Sequence, residues 1–172
     1  MHDMNLEKNR SKIDRNGDGV IQFAMLEGES GHQDTLIRSE WVLKELENKK
    51  IPTQQIAGST GNWEKNQANV IVRQWMREYP NQIEVIISNN DDMALGVYDY
   101  YKQHNLKLPL ILGINNSPEM NQKIQAGEIY GTVDNGTNDQ ISYICKLLND
   151  ILNKNTAKYH KIWYSKPFAI EK

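Results

Sequence analysis

From residue 19 onward the apolar positions follow two alternating rhythms. GVIQFAMLEG (19–28) is a short apolar run and predicts a buried strand. Residues 34–49 then place Ile37, Trp41, Val42 and Leu46 at helical spacing, with Asp34 set to cap. IPTQQIAGST (51–60) suits a strand that ends in a loop, and residues 64–79 put Val70, Ile71, Trp75 and Met76 on or near one helical face. Trp41 and Trp75 are expected as helix-core residues. IEVIIS (83–88) predicts a buried strand, followed by NNDDMALGVYDYYKQH, a helix with acids in its first turn. LPLILGI (108–114), SPEMNQKIQAG (117–127) and IYGTV (129–133) repeat strand, helix, strand. Such alternation indicates an α/β class with parallel βαβ units. Ligands of these sheets gather at the carboxyl ends of the strands, here the loops near 31–34, 60–63, 88–91, 115–117 and 134–138.

One later helix needs a partner. QISYICKLLNDILN (140–153) lines up Ile141, Ile144, Cys145, Leu148, Ile151 and Leu152 in a broad apolar stripe. Composition adds mainly exclusions. At 172 residues and a formal net charge of −2, the chain shows no basic surplus that would suit nucleic acid or an anionic membrane. No apolar run approaches a membrane span, and the polar N-terminus lacks the apolar centre of a signal peptide. A lone Cys145 rules out an internal disulfide or a cysteine-based zinc site.

DRNGDGVIQ (14–22) carries the densest candidate chemistry. Asp14, Asn16 and Asp18 alternate, Gly19 permits a sharp turn, Val20 offers a carbonyl and Gln22 an amide oxygen. That is the spacing of an oxygen-rich calcium loop. The twelfth position, where a bidentate Glu belongs, is Met25. With two carboxylates the loop is a weak site unless an acid comes from elsewhere. An Asx-rich turn without metal accounts for the same residues.

The predicted strand ends carry a second set. His32 and Asp34 follow the first strand, with Arg38 one helical turn on; the pair suits a polyol hydroxyl, or Asp34 merely caps and pairs with Arg38. Trp63, in STGNWEKN, suits a flat apolar ligand face or the core edge. SNNDD and INNSP put Asn90 and Asn115 after buried strands, where amides either meet hydroxyls or cap helices. Gathered at one sheet edge, these types match a monosaccharide: hydrogen bonds around its perimeter and aromatic carbon against its face.

DRNGDGVIQF, GESGHQDTLIR, GNWEKNQA, IEVIISNNDDMALG, LGINNSPEM and IQAGEIYGTVDNG occur in the order and spacing of a known family. Together they resemble the galactose/glucose-binding branch of the type I periplasmic sugar-binding proteins, from about residue 14 to 140. The resemblance implies a parallel-sheet, Rossmann-like three-layer α/β sandwich, the C-terminal lobe of such a protein. It divides the chain into a polar segment (1–13), the lobe with its calcium loop (14–134), a crossover helix (135–157) and a closing strand segment (158–172). The crossover helix would pack on a first lobe that the chain does not contain, so a C-terminal-lobe fragment or truncated product with an incomplete sugar clamp is expected. The resemblance also implies calcium held by Asp14, Asn16, Asp18, Val20 and Gln22, with Glu84 as the distant acid. Sugar contacts carry over at His32, Asp34, Arg38, Trp63, Asn90 and Asn135. Asn115 stands where the family has an aspartate, so a shifted sugar preference or weaker binding is expected.

The implied role is delivery of galactose or glucose to the membrane subunits of an ABC importer, with a chemoreceptor as a further partner, in the periplasm or outside the cell at the membrane. No catalysis is implied. Asp34, Glu84 and Asp91 would be the acids of a carbohydrate enzyme, but Glu84 is claimed by the metal and Asp34 by Arg38. The alternative is the effector domain of a LacI-type regulator, which shares the fold but would not need the loop. The absence of a helix-turn-helix segment also weighs against it.

Overall fold

The computed structural model describes residues 10, 12–154 and 164–171. A six-stranded sheet runs in the order β2-β1-β3-β4-β5-β6. Its strands are β1 (Ile21–Glu27), β2 (Thr53–Thr60), β3 (Val85–Ser88), β4 (Leu110–Ile114), β5 (Gly131–Asp134) and β6 (Phe168–Glu171). The first five are parallel; β6 is antiparallel to β5, with Gly131 opposite Glu171 and Asp134 opposite Phe168. Among the described residues five helices connect them: α1 (Gln33–Asn48), α2 (Lys65–Glu78), α3 (Asp91–Gln103), α4 (Pro118–Gln125) and α5 (Thr137–Leu152).

The period of two in each central strand feeds two separate cores. Ala24 and Leu26 of β1, Ile86 of β3 and Ile111 of β4 face one cluster, closed by Ala68, Val72 and Trp75 of α2, the inner face of α3, and Met120 and Ile124 of α4. Ile21, Phe23 and Met25 of β1 and Val85 and Ile87 of β3 face the other, closed by Leu46 and Val42 of α1. Cores on both faces make the fold a three-layer α/β sandwich, as the alternation of elements predicts. Ile13, in the segment expected to be only polar, joins the second core at 8% exposure. Residues 1–9, 11, 158–163 and 172 of the expected terminal segments, and 155–157 of the expected crossover helix, lie outside the described residues.

Two expectations about helix faces are corrected. Trp41 is 59% exposed, with the Lys44 ammonium 5.1 Å from its ring, and Ile37 is 44% exposed. The buried positions of α1 are Thr35, Ser39 and Leu46, nearly opposite Ile37 and Trp41 on the helix. The apolar residues of this segment form two stripes, and only one can face the sheet. Likewise Val70 is 65% exposed while Val72 sits in the core with Trp75. Helix α5 has no buried residue: Ile141, Ile144, Leu148, Ile151 and Leu152 are each more than half exposed, and Cys145 is exposed.

Local chemistry places the helix starts at one sheet edge. The Asn90 side chain accepts from Met93 N–H at 3.0 Å and Ser117 Oγ from Met120 N–H at 3.3 Å, with Pro118 in the first helical turn. The His32 ring accepts from Asp34 N–H at 3.2 Å. These caps lie just beyond the carboxyl ends of β3, β4 and β1.

Candidate functional site

Five of the seven expected sugar residues form one contiguous group at the ends of β1, β2 and β3. Trp63 has a left-handed backbone, φ 67°, in the loop after β2. Its indole lies over Gly28, where a Cβ would stand 2.1 Å from the ring, so only glycine leaves room for it. The His32 ring meets Trp63 edge-on at 5.3 Å, and the Arg38 guanidinium lies 5.6 Å from the indole centroid. Arg38 donates to Asp34 at 2.9 Å and, through its other terminal nitrogen, to Asn89 O at 2.7 Å. Asn90 donates to Trp63 O at 3.0 Å while capping α3. Thus the capping role weighed for Asn90 and the Arg38 ion pair weighed for Asp34 are real and coexist with placement at the edge, whereas the expected capping by Asp34 is corrected: Asp34 lies inside the first turn and His32 is the cap.

The other two residues form a second group at the ends of β4 and β5. Asn135 Nδ2 donates to Asn115 Oδ1 at 3.1 Å, and Asn135 Oδ1 accepts from Thr137 at 2.6 Å. Asn115 and the neighbouring Asn116 hold φ of 129° and 59°. A cavity of about 610 Å³ around Arg15, Glu84 and Leu108, and an apolar trough of about 310 Å³ over β3 to β6, are lined by none of the seven residues.

Asn89, passed over in the sequence, and Asp91, weighed there only as an acid, support this edge from beneath. Asn89, 1% exposed, accepts from Gly28 N–H at 3.1 Å and lies 3.4 Å from the Ser39 hydroxyl. Asp91, also 1% exposed, bonds Ser117 and Thr132. A signal existed in the polar doublets NN and DD directly after an apolar strand, but which member turns inward depends on the strand parity.

At the opposite end of the sheet, Asp14 accepts from Gly17 and Gly19 N–H at 2.7 and 2.9 Å. Asp18 accepts from Val20 N–H at 2.8 Å, which holds its carboxyl below the usual value. Its other oxygen accepts from the Asn16 and Gln22 amides at 3.0 and 2.9 Å, and Asn16 also donates to Gln22 Oε1 at 3.1 Å. Glu84, 2% exposed and 62 residues beyond Gln22, brings its carboxylate to this loop. It accepts from Gln22 N–H at 3.0 Å, Asn16 N–H at 3.3 Å and Arg15 N–H.

Among the described residues no three His, Cys, Asp or Glu side chains gather closely enough to bind a metal by themselves. A cation in this loop would therefore take part of its shell from amides and a carbonyl. The donor set fits a hard cation on that basis. Asn16 and Gln22 already converge on Asp18, and turning their amide oxygens inward would replace donation to the carboxylate by coordination. Asp14, Asn16, Asp18, Gln22, Glu84 and the Val20 carbonyl would be the holders.

A family model described as "Periplasmic binding protein domain" matches residues 6–156. The chain belongs to that family, and its fold is that of a type I periplasmic-binding-protein lobe. Over 152 residues it is 41% identical to the D-galactose/methyl-galactoside binding periplasmic protein of Haemophilus influenzae, covering 88% of this chain and 46% of that protein. It is 27% identical to a xylitol-binding protein of Mycolicibacterium smegmatis, covering 69% and 34%. The chain thus spans less than half the length of these relatives. An ABC transporter periplasmic solute binding protein from Actinobacillus succinogenes with bound D-allose superposes with a TM-score of 0.80 at 21% identity, over 92% of this chain and 56% of that one. A Caulobacter myo-inositol binding protein superposes at 0.79 and 21%, over 94% and 56%. These two similarities speak to the fold.

Proposed function

We propose that the chain is the sugar-contacting C-terminal-type lobe of a periplasmic binding protein that takes a galactose- or glucose-type monosaccharide and serves an ABC importer, with calcium as a structural ion. The observation that carries the reading is the group His32, Asp34, Arg38, Trp63 and Asn90, assembled from three strand ends into one edge with an indole beside a charged hydrogen-bonding pair. The 41% relative named for galactose and methyl-galactoside supports the sugar class. Binding uses no bond making: hydroxyls meet Asp34 as acceptor, Arg38 as donor, and the Asn90, Asn115 and Asn135 amides as either. The periplasm and a chemoreceptor partner belong to the same reading.

A single open edge leaves one sugar face in water, where each hydrogen bond has little net worth. The test is calorimetry and tryptophan fluorescence with calcium, with galactose, and with both. The expected result is calcium binding together with galactose affinity weaker than about 1 mM. Micromolar galactose binding would overturn the expectation that this edge alone binds sugar weakly. No galactose response at any concentration, with glucose and other monosaccharides equally silent, would overturn the sugar part.

A further inference from the structure

Asp91 opens α3 at the end of β3, next to Asn90, and is 1% exposed. Its Oδ2 accepts the Ser117 backbone N–H at 2.6 Å, and its Oδ1 accepts the Thr132 hydroxyl at 2.6 Å. Ser117 lies two residues after Asn115, and Thr132 lies on β5, three residues before Asn135. Gly113 makes the space, since a Cβ there would stand 2.3 Å from Asp91 Oδ1. One buried carboxylate therefore ties the ends of β3, β4 and β5 together. Burial raises its pKa, and both hydrogen bonds and the Asp92 charge act on it besides.

Among the described residues no hydrogen bond joins the Asn115–Asn135 pair directly to the Asn90–Trp63 group. The left-handed backbones of Asn115 and Asn116 persist only where surrounding contacts hold them. Those contacts include the Thr132 hydroxyl, 3.4 Å from Asn116 N, and the Asp134 carboxylate, which accepts from Asn116 Nδ2 at 2.9 Å. Asp91 binds that same Thr132 hydroxyl. We propose that Asp91 is the positioning residue that fixes the Asn115–Asn135 pair relative to the Asn90–Trp63 group, so that one monosaccharide meets both. The proposal rests on the sugar-binding reading for its purpose, but not for its geometry.

The test uses the full chain without ligand, following the side-chain amide resonances of Asn90, Asn115 and Asn135 by NMR. Asp91→Asn leaves one acceptor for two donors and turns an amide N–H₂ toward the other donor; Thr132→Val removes only one of the two bonds. In both variants the Asn115 and Asn135 resonances are expected to move while Asn90 stays, with the larger movement in Asp91→Asn. Ile111→Val, a core change away from these bonds, is expected to leave all three in place despite its own loss of thermal stability. In a galactose titration, Asp91→Asn is expected to bind about tenfold more weakly than the parent chain. Asn115 and Asn135 resonances that coincide with the parent in Asp91→Asn or in Thr132→Val would overturn the proposal. A parent chain that binds no sugar would sink the functional reading alone, because the ligand-free resonances still decide the positioning role.

Discussion

Replacing Glu84 by Gln tests the junction between the loop and the sheet. The carboxylate is 2% exposed and accepts three backbone N–H groups, from Arg15, Asn16 and Gln22. Glutamine retains one accepting oxygen and turns an N–H₂ toward at least one of those donors. Losing one charge-assisted bond and leaving a buried N–H unpaired costs about 3 kcal/mol. For a chain of this length that lowers the melting temperature by about 6–12 °C. This loss is expected in a chelator, before any cation is added. With calcium at a hundredfold excess over its dissociation constant, the parent chain gains about 2.7 kcal/mol by mass action, and Glu84→Gln gains almost none. Melting followed by circular dichroism, in chelator and in calcium, separates the two effects, and calorimetry measures the affinity directly. An unchanged melting temperature in chelator would refute the structural role of the carboxylate. Unchanged calcium affinity would refute its role as the distant ligand.

Glu128 accepts from Lys102 and Lys123, each at 3.1 Å. Hydrogen bonding with Tyr98 and these ammonium groups lowers its pKa from 4.5 to about 2. A depressed carboxyl contributes stability that is present above pH 4.5 and is lost as pH falls toward 2. Glu128→Gln is expected to flatten that part of the profile in urea unfolding at several pH values; an identical slope in the variant would contradict the assignment. On α5, Leu148 is 56% exposed, so Leu148→Asp is expected to change unfolding free energy by no more than about 0.5 kcal/mol. The same variant should lower binding of an apolar dye to the stripe. A loss of several kcal/mol would mean that the stripe is packed in solution.

The element types and their order were readable because burial imposes a period of two on strands and a longer one on helices, and both periods are written in the side chains. GVIQFAMLEG and IEVIIS became the adjacent interior strands β1 and β3, and the strand-end loops were located correctly from the α/β rule. The inward face of a helix was less readable. In α1 two apolar stripes competed, and the sheet took the one with Thr35, Ser39 and Leu46 while leaving Trp41 in solvent. In α2 the same ambiguity exposed Val70 and buried Val72.

What the sequence by itself determined is therefore the α/β alternation, the hydrogen-bonding side chains at the strand ends, and the oxygen-rich turn at 14–22. Family resemblance added Glu84 to that turn. Only the tertiary structure decided which side chains meet: Glu84 with the backbone of Arg15, Asn16 and Gln22, Gly28 with the Trp63 ring, and Asp91 with Ser117 and Thr132. The physical reason is register. A local pattern sets how each segment is shaped, but a contact between residues tens of positions apart depends on how neighbouring strands slide against one another. Burial of both sheet faces fixes that offset for the whole sheet at once.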